Sequence, residues 1–213
     1  MENVYNNDAV MKSYMHGLIL SQFLWKNHYL MLKFFIKEAL QVEGIRRLLE
    51  IGPGHGLYIA QAMKKFPRAE YKIMDISPVS IAMTKKIVRR LVNDPDKISF
   101  VQSDVRAYSS DEKFDFIIMG EVMEHVEDPL SLLVSVKKLL EDGGRLHITT
   151  CANCPAIDHV YCFDSVEAIV EMIEAAGFRV LKDIALPVED VPREKWKETR
   201  VGINYAAALE NSD

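Results

Sequence analysis

The run Leu48-Leu49-Glu50-Ile51-Gly52-Pro53-Gly54-His55-Gly56 constrains this chain more than any other stretch. An apolar segment ends in an acid, and three glycines follow at alternate positions. The apolar part predicts a buried strand, and the glycines predict the tight turn at its carboxyl end. Glycine takes positive φ at little cost and, lacking a Cβ, lets main chain come close to a bound molecule. In an open parallel sheet such a turn faces the crevice where nucleotide-like ligands bind. An adenosine-containing cofactor is therefore expected, and the rest of the chain has to supply an acceptor and a reaction.

The remaining pattern fits such a sheet. Strands are predicted at Arg46–Ile51, Glu70–Asp75, Lys97–Val101, Phe114–Gly120 and Gly144–Thr150. Helices are predicted at Leu57–Lys65, Pro78–Leu91, Pro129–Leu140 and Asp164–Ala176, with Pro78 and Pro129 suiting first-turn positions. Strand–helix alternation implies a parallel sheet covered by helices on both faces. The tail departs from it: Phe178–Ala185 and Arg200–Leu209 read as two strands, an ending that suggests an antiparallel strand at the sheet edge. Before the first strand, Asp8 to Leu40 reads as two helices. One apolar stripe is Met11, Met15, Leu18 and Ile19; the other is Phe23, Leu30, Phe34 and Phe35. These helices are expected to pack and to serve as a lid.

With 213 residues the chain can bury the core of one domain. A net charge of −5 argues against a broad basic surface for nucleic acid and against docking on an anionic membrane. The start Met1-Glu2-Asn3-Val4 lacks the features of a secretory signal, and no stretch approaches the roughly 20 apolar residues of a membrane span. The cysteines Cys151, Cys154 and Cys162 cannot all pair with one another, which suits a reducing cytoplasm. Cys151-Ala152-Asn153-Cys154 lacks the second pair that a Cys-only zinc site needs, so a structural or substrate-lining role is expected rather than redox chemistry.

Two further acids follow strands. Asp75 ends Tyr71-Lys72-Ile73-Met74-Asp75, where a carboxylate can accept from both ribose hydroxyls. Asp104, in Gln102-Ser103-Asp104-Val105, can accept from an adenine amino group while the Val105 amide meets a ring nitrogen. The dinucleotide fingerprint G-x-G-x-x-G fits poorly, since Leu57 stands where its third glycine belongs.

Five motifs in order resemble the Rossmann-like, class I S-adenosylmethionine-dependent methyltransferases, from about Arg46 to the carboxyl terminus. They are Glu50-Ile51-Gly52-Pro53-Gly54-His55-Gly56, Asp75, Ser103-Asp104-Val105, Phe114-Asp115-Phe116-Ile117-Ile118 and Leu139-Leu140-Glu141-Asp142-Gly143-Gly144-Arg145-Leu146. The resemblance implies an α/β fold: a doubly wound, seven-stranded, mostly parallel sheet whose last strand is antiparallel. Residues 1–42 would form a helical cap and residues 43–213 the methyltransferase domain. The cofactor S-adenosylmethionine would contact Glu50, Gly52, Pro53, Gly54 and Gly56 through its methionine portion. Asp75 and Ile76 would lie at the ribose and Asp104 and Val105 at the adenine. Gly120, with Glu121, would lie beside the sulfonium and its methyl group.

After the fourth predicted strand, Glu121, Glu124 and His125 stand at i, i+3 and i+4, on one face of a helical turn. Two carboxylates and an imidazole make a partial ligand set for a divalent cation. His159 follows the strand end Ile148-Thr149-Thr150 and reaches the same edge of the sheet. Glu-x-x-Glu-His with a later His resembles the metal site of the small-RNA 3′-terminal 2′-O-methyltransferases, and its first part resembles the ubiquinone-pathway O-methyltransferases. The resemblance implies Glu121, Glu124, His125 and His159 as ligands, with His125, His159 and Glu121 catalytic. The cation would lower the pKa of the attacked hydroxyl. Carboxylates suit magnesium, whereas two imidazoles favour iron, manganese, zinc or nickel. Many methyltransferases of this kind carry Glu-His-Val here without metal, so a cation, a histidine base and simple pocket lining stand side by side.

The acidic chain lacks the basic, aromatic surface expected for RNA ends. The expected acceptor is a small metabolite or natural product, methylated at a hydroxyl, by a monomer or homodimer. Metal-free transfer to nitrogen or carbon with His125 as base is the alternative. A nicotinamide-dependent oxidoreductase and a non-catalytic S-adenosylmethionine-binding protein are the readings from other classes. His147 is expected to be a satisfied core or sheet-face residue, and His16 and His28 to sit on the surface or in packing. His55 is expected to be a variable side chain on a backbone-determined turn. Tyr5, Tyr14 and Trp25 are expected to cover the acceptor.

Overall fold

The computed structural model describes residues 8–91, 94 and 97–211, with side chains from residue 16 onward. Two helices, α1 (Asp8–Leu24) and α2 (Lys26–Phe34), run into a π-turn at Phe35–Ala39. The alternating part follows: β1 (Arg47–Ile51), α3 (Leu57–Lys65), β2 (Glu70–Asp75), α4 (Pro78–Leu91), β3 (Ile98–Gln102), β4 (Phe114–Gly120), α5 (Pro129–Lys137), β5 (Leu140–Ala152) and α6 (Val166–Ala175). The tail adds β6 (Phe178–Pro187), the short α7 (Trp196–Thr199) and β7 (Ile203–Asn211). No helix among the described residues is long and apolar enough to cross a membrane.

The seven strands form one sheet in the order β3-β2-β1-β4-β5-β7-β6. The first five pair in parallel, and β7 is antiparallel to both β5 and β6. The last strand is antiparallel, as expected, but it does not lie at the edge. It inserts between β5 and β6, so β6 is the edge strand. The reason lies in its residues: Tyr205, Ala206, Ala207 and Leu209 are fully buried, a composition for a central strand.

Both faces of the sheet are covered, so successive side chains of one strand enter different cores. In β4, Ile117 and Met119 join Leu133, Ile169 and Ile173 on one side, while Phe116 and Ile118 join Phe35, Ile59 and Ala62 on the other. This explains unbroken apolar runs where a one-sided sheet would alternate. Local signals fix the helix starts. The Asp128 carboxylate accepts from the Ser131 N–H at 2.9 Å with Pro129 in the first turn, and Ser165 Oγ accepts from the Ala168 N–H at 3.2 Å.

The leading helices differ in part from expectation. Trp25 is extended (φ −99°, ψ 121°) and separates α1 from α2, so no single stripe continues across them. Phe34 and Phe35 are buried, and so are Met31 and Leu32, but Phe23 is 60% exposed. Met11, Met15, Tyr5 and Tyr14 lie outside the residues whose side chains are described.

Candidate active site

The strand order reverses at β1, which is flanked by β2 and β4. In an open α/β sheet ligands enter the crevice at that switch point, outside the carboxyl ends of the strands. The glycine turn follows β1 there, and Gly120-Glu121 follows β4 beside it. Two clefts lie at the other end of the strands: one lined by Glu38, Ala39, Arg145 and Lys182, the other by Arg47, Glu70, Lys97 and Glu112.

Packing imposes part of the glycine pattern. Gly52 has φ +63°, and a Cβ on it would stand 2.7 Å from Val122 Cγ2, in the segment after β4. This glycine is required by the approach of two loops, before any ligand is considered. At Gly54, φ +46°, the nearest atom to an added Cβ is Leu18 Cδ1 at 3.7 Å. Leu18 belongs to α1, so the leading helix passes over the turn. His55 is buried rather than free to vary: its Nδ1 accepts from the Leu57 N–H at 3.0 Å, where α3 begins. Burial, with a smaller push from His28, takes its pKa down to about 4, so the ring is neutral.

Glu50 is 1% exposed and its Oε2 meets no hydrogen-bond partner. Burial raises its pKa well above the usual carboxyl range, opposed by a hydrogen bond from the Ile59 main chain. A buried acid with a free oxygen beside the glycine turn is what a cationic amino group would satisfy. Asp75 ends β2 and accepts from the Ser77 N–H at 2.8 Å and the Ser80 hydroxyl at 2.5 Å. A carboxylate offers about four acceptor positions, so it keeps capacity for ribose hydroxyls. Ile76 beside it is 61% exposed. Asp104 follows β3 and is gripped by Arg106 through Nε, Nη2 and the main-chain N–H, which hold its pKa down. Val105 is buried in the core next to it. The residues of the glycine turn thus fit the methionine end of S-adenosylmethionine, and the two aspartates lie at successive strand ends as its nucleoside requires.

The second half of the site is the segment after β4. Glu121 has φ +51°, a left-handed backbone unusual for a residue with a side chain, and its N–H donates to the Thr149 carbonyl at 2.9 Å. Glu124 and His125 lie in a 3₁₀ turn, Met123–His125, rather than in an α-helical turn. Glu124 is 1% exposed; its Oε2 accepts from the Thr150 hydroxyl at 2.8 Å, while its Oε1 has no partner of good geometry. Burial and the neighbouring Glu124 push the Glu121 carboxyl up to about 8, and burial raises Glu124 as well.

The loop after β5 closes the site. The N–H groups of Val160 and Tyr161 both donate to the Glu124 carbonyl, at 2.9 and 3.0 Å. Ring atoms of His125 and His159 and a carboxylate oxygen of Glu124 lie within 4.8 Å of one another. The rings are perpendicular, with centroids 5.1 Å apart. His125 Nδ1 is 2.9 Å from the Asp158 carbonyl, and His159 Nδ1 is 2.7 Å from the Cys154 carbonyl. A carbonyl only accepts, so both Nδ1 atoms carry hydrogen and both lone pairs stand on Nε2. Ligating histidines are commonly held this way by a main-chain carbonyl. Glu124, His125 and His159 therefore fit a divalent cation, whereas Glu121 falls outside that group. A second group within the same spacing joins Glu121, Glu124 and Cys151.

Cys151 at this rim stands where a structural or substrate-lining side chain was expected. His28 of α2, expected on the surface or in packing, is half-buried and close enough to Glu121 for their charges to interact. Its Nδ1 lies 2.8 Å from Ser21 Oγ, whose hydroxyl donates to the Leu18 carbonyl at 2.8 Å. The hydroxyl hydrogen is thus engaged, so His28 Nδ1–H donates and its lone pair stands on Nε2. Burial lowers the His28 pKa, opposed by the Glu121 carboxylate. Trp25, expected over the acceptor, is 64% exposed and packs on His28 with centroids 5.0 Å apart. His147 is fully buried, with Nδ1 3.1 Å from the Ala207 carbonyl and rings of Phe35 and Tyr58 around it, but it is only half satisfied, since its Nε2 has no hydrogen-bond partner among the described residues.

The family model described as a methyltransferase domain matches residues 25–183, across both halves of this rim. The chain belongs to that family. Nodulation protein S of Rhizobium tropici is 33% identical to this methyltransferase-family chain over 145 residues, 62% of this chain and 58% of that protein. A ubiquinone biosynthesis O-methyltransferase of Histophilus somni is 34% identical over 109 residues, 49% of this chain and 44% of that protein. Malonyl-[acyl-carrier protein] O-methyltransferase 1 of Ilyobacter polytropus is 27% identical over 106 residues, 50% of this chain and 38% of that protein. The chain thus spans less than two thirds of each of these relatives. Among solved structures, the N-methyltransferase NodS of Bradyrhizobium japonicum with S-adenosyl-L-homocysteine has a TM-score of 0.68 at 17% identity, covering 95% of this chain and 99% of that one. The [4+2]-cyclase SpnF has the same TM-score at 16% identity, covering 88% and 82%. These likenesses show the fold, which is class I and Rossmann-like as expected.

Proposed function

We propose that this chain transfers a methyl group from S-adenosylmethionine to a hydroxyl oxygen of a small-molecule acceptor, with a divalent cation held on Glu121, Glu124, His125 and His159. One observation carries the reading: a carboxylate oxygen of the buried Glu124 and ring nitrogens of His125 and His159 lie within 4.8 Å of one another, and the Nδ1 atoms of both rings are already committed to main-chain carbonyls.

S-Adenosylmethionine supplies a methyl group that is electrophilic without activation. The cation would lower the pKa of the acceptor hydroxyl, which alone is a poor nucleophile. Everything else falls to the chain. The glycine turn holds the methionine portion, with Glu50 facing its amino group. Asp75 and Ile76 take the ribose, and Asp104 and Val105 the adenine. Gly120 stays small where the methyl group sits; a Cβ there would meet Thr149 Oγ1 at 3.2 Å. Residues 1–42 act as the cap, with Leu18 over Gly54, and exclude water from the transfer. His28, close enough to Glu121 for their charges to interact, takes up a proton released there. The acidic chain and compact rim suit a metabolite or natural product better than a nucleic acid.

A nitrogen acceptor is the second reading, favoured by the likeness to nodulation protein S and to an N-methyltransferase fold. An amine need only arrive unprotonated, so no cation is required.

Calorimetric titration with S-adenosylmethionine and its demethylated product, followed by a methyl-transfer screen with and without chelator, tests the proposal. Both nucleosides are expected to bind, and transfer is expected to vanish on chelation and return with one cation. Transfer indifferent to chelator removes the cation in favour of the second reading. No affinity for either nucleoside overturns the whole.

A further inference from the structure

Cys151 is a rim side chain that the proposed reaction leaves unused. It lies near the end of β5, is 5% exposed, and its Sγ lies within 4.8 Å of carboxylate oxygens of both Glu121 and Glu124. Its Sγ is also 4.0 Å from His159 Nδ1. Glu124 stands at the junction of two ligand groups: one adds His125 and His159, the other adds Glu121 and Cys151. Cys154, the other half of the C-x-x-C, belongs to neither; its thiol donates to the Ala152 carbonyl at 3.3 Å. An independent sign of a missing ligand comes from Glu124 itself, which is 1% exposed with Oε1 unpartnered. An acceptor enclosed in this way costs about 1–3 kcal/mol unless something bound satisfies it.

We propose that Cys151 is a ligand of the cation on Glu124, and that the site consequently selects a zinc-class dication over magnesium or calcium. The inference rests on the cation reading above and gives it a chemical identity. Magnesium and calcium take oxygen ligands, whereas thiolate combined with imidazole selects zinc and its first-row neighbours. Thiolate and imidazole donors flanking one carboxylate are poorly matched to a hard ion. Binding breaks the Cys151 S–H bond, forms a sulfur–metal bond and releases one proton to solvent; nothing is oxidised or reduced.

The test is a titration of the metal-free full chain with Co²⁺ alone, a spectroscopic stand-in for zinc. Thiolate ligation gives a sulfur-to-cobalt band in the near ultraviolet, and any protein-bound Co²⁺ of low coordination number gives visible bands. Both are expected in the native chain, and a large excess of Mg²⁺ is expected to leave them in place. Cys151→Ser is expected to lose the ultraviolet band while Cys154→Ser and Cys162→Ser keep it. Visible bands without the ultraviolet band in the native chain overturn the inference and leave the cation reading standing. No cobalt bound at all overturns both. Should Cys151→Ser fail to fold, zinc-edge X-ray absorption of the native chain decides: a sulfur shell at about 2.3 Å supports the inference, and only nitrogen and oxygen at about 2.0–2.2 Å overturns it.

Discussion

The two ends of the sheet carry the same kinds of residue in opposite states. At the amino ends of the strands, acids meet bases. Arg47 pairs with Glu141 at 2.7 Å, Arg145 with Glu210 at 2.9 Å and Lys182 with Glu38 at 2.5 Å, and Lys72 pairs with Glu112 and Arg179 with Glu210. At the carboxyl ends, Glu50, Glu121 and Glu124 have no Lys or Arg partner among the described residues, and each keeps a buried oxygen unsatisfied. A fold selected for stability alone would not enclose three such acids. The charge-matched end ties strands together, while burial disfavours ionisation at the unmatched end, where a bound cation or cationic ligand would restore the carboxylates. The price is stability, and function is where that trade is commonly made.

The contrast breaks first, and most visibly, at Glu124. Glu124→Gln is expected to weaken Zn²⁺ or Co²⁺ binding by more than about 100-fold, since even a supporting partner of a ligand is worth about 10–100-fold. Glu210→Gln at the other end is expected to leave it unchanged. Calorimetry on both variants checks this, and equal losses would erase the distinction.

The next effect is on stability. Gly52→Ala combines a left-handed backbone with a Cβ 2.7 Å from Val122. Overpacking of about 1–3 kcal/mol adds to about 1–2 kcal/mol of backbone strain. Gly54→Ala, with its nearest atom at 3.7 Å, should show the strain alone. Urea midpoints of the two variants measure the difference.

A pH profile sharpens the contrast further. The folded Glu121 carboxyl titrates at about 8 against an ordinary 4.5. Between those values the unfolded chain has lost a proton that the folded chain still holds, so stability falls as pH rises through the window and levels off above it. The melting temperature of cation-free protein should decline from pH 5 to 8, and Glu121→Gln should flatten the decline. A melting temperature that climbs across that range would contradict the assignment. The smallest effect belongs to the paired end: Glu210→Gln should cost no more than about 1 kcal/mol, because exposed ion pairs contribute little.

Much of this was legible in the sequence, for local reasons. β2, β4, α3 and α4 lie where their apolar runs and flanking prolines placed them. The glycine turn is local as well, and so is the proximity of Glu121, Glu124 and His125, although a 3₁₀ turn produces it. What escaped depends on distant partners. β5 begins at Leu140, several residues early, because Leu140 pairs with Phe114 across a register shift, and α5 accordingly stops at Lys137. The position of β7 is a choice between neighbours that no run of residues encodes. Cys151 reads as an ordinary strand-end thiol until the loop after β4 folds against it. His28 reads as a helix residue until the break at Trp25 turns α2 across the sheet.

The main-chain oxygen of Glu124 receives two amides from the segment after β5. That single atom welds the walls carrying His125 and His159 into one jaw. A molecule entering between the jaw and α2 cannot pry the two imidazoles apart. Accommodation must come from the helical side, so size selection should respond to changes around Leu18, Ser21 and His28 rather than to changes in the loops that bear the ligands.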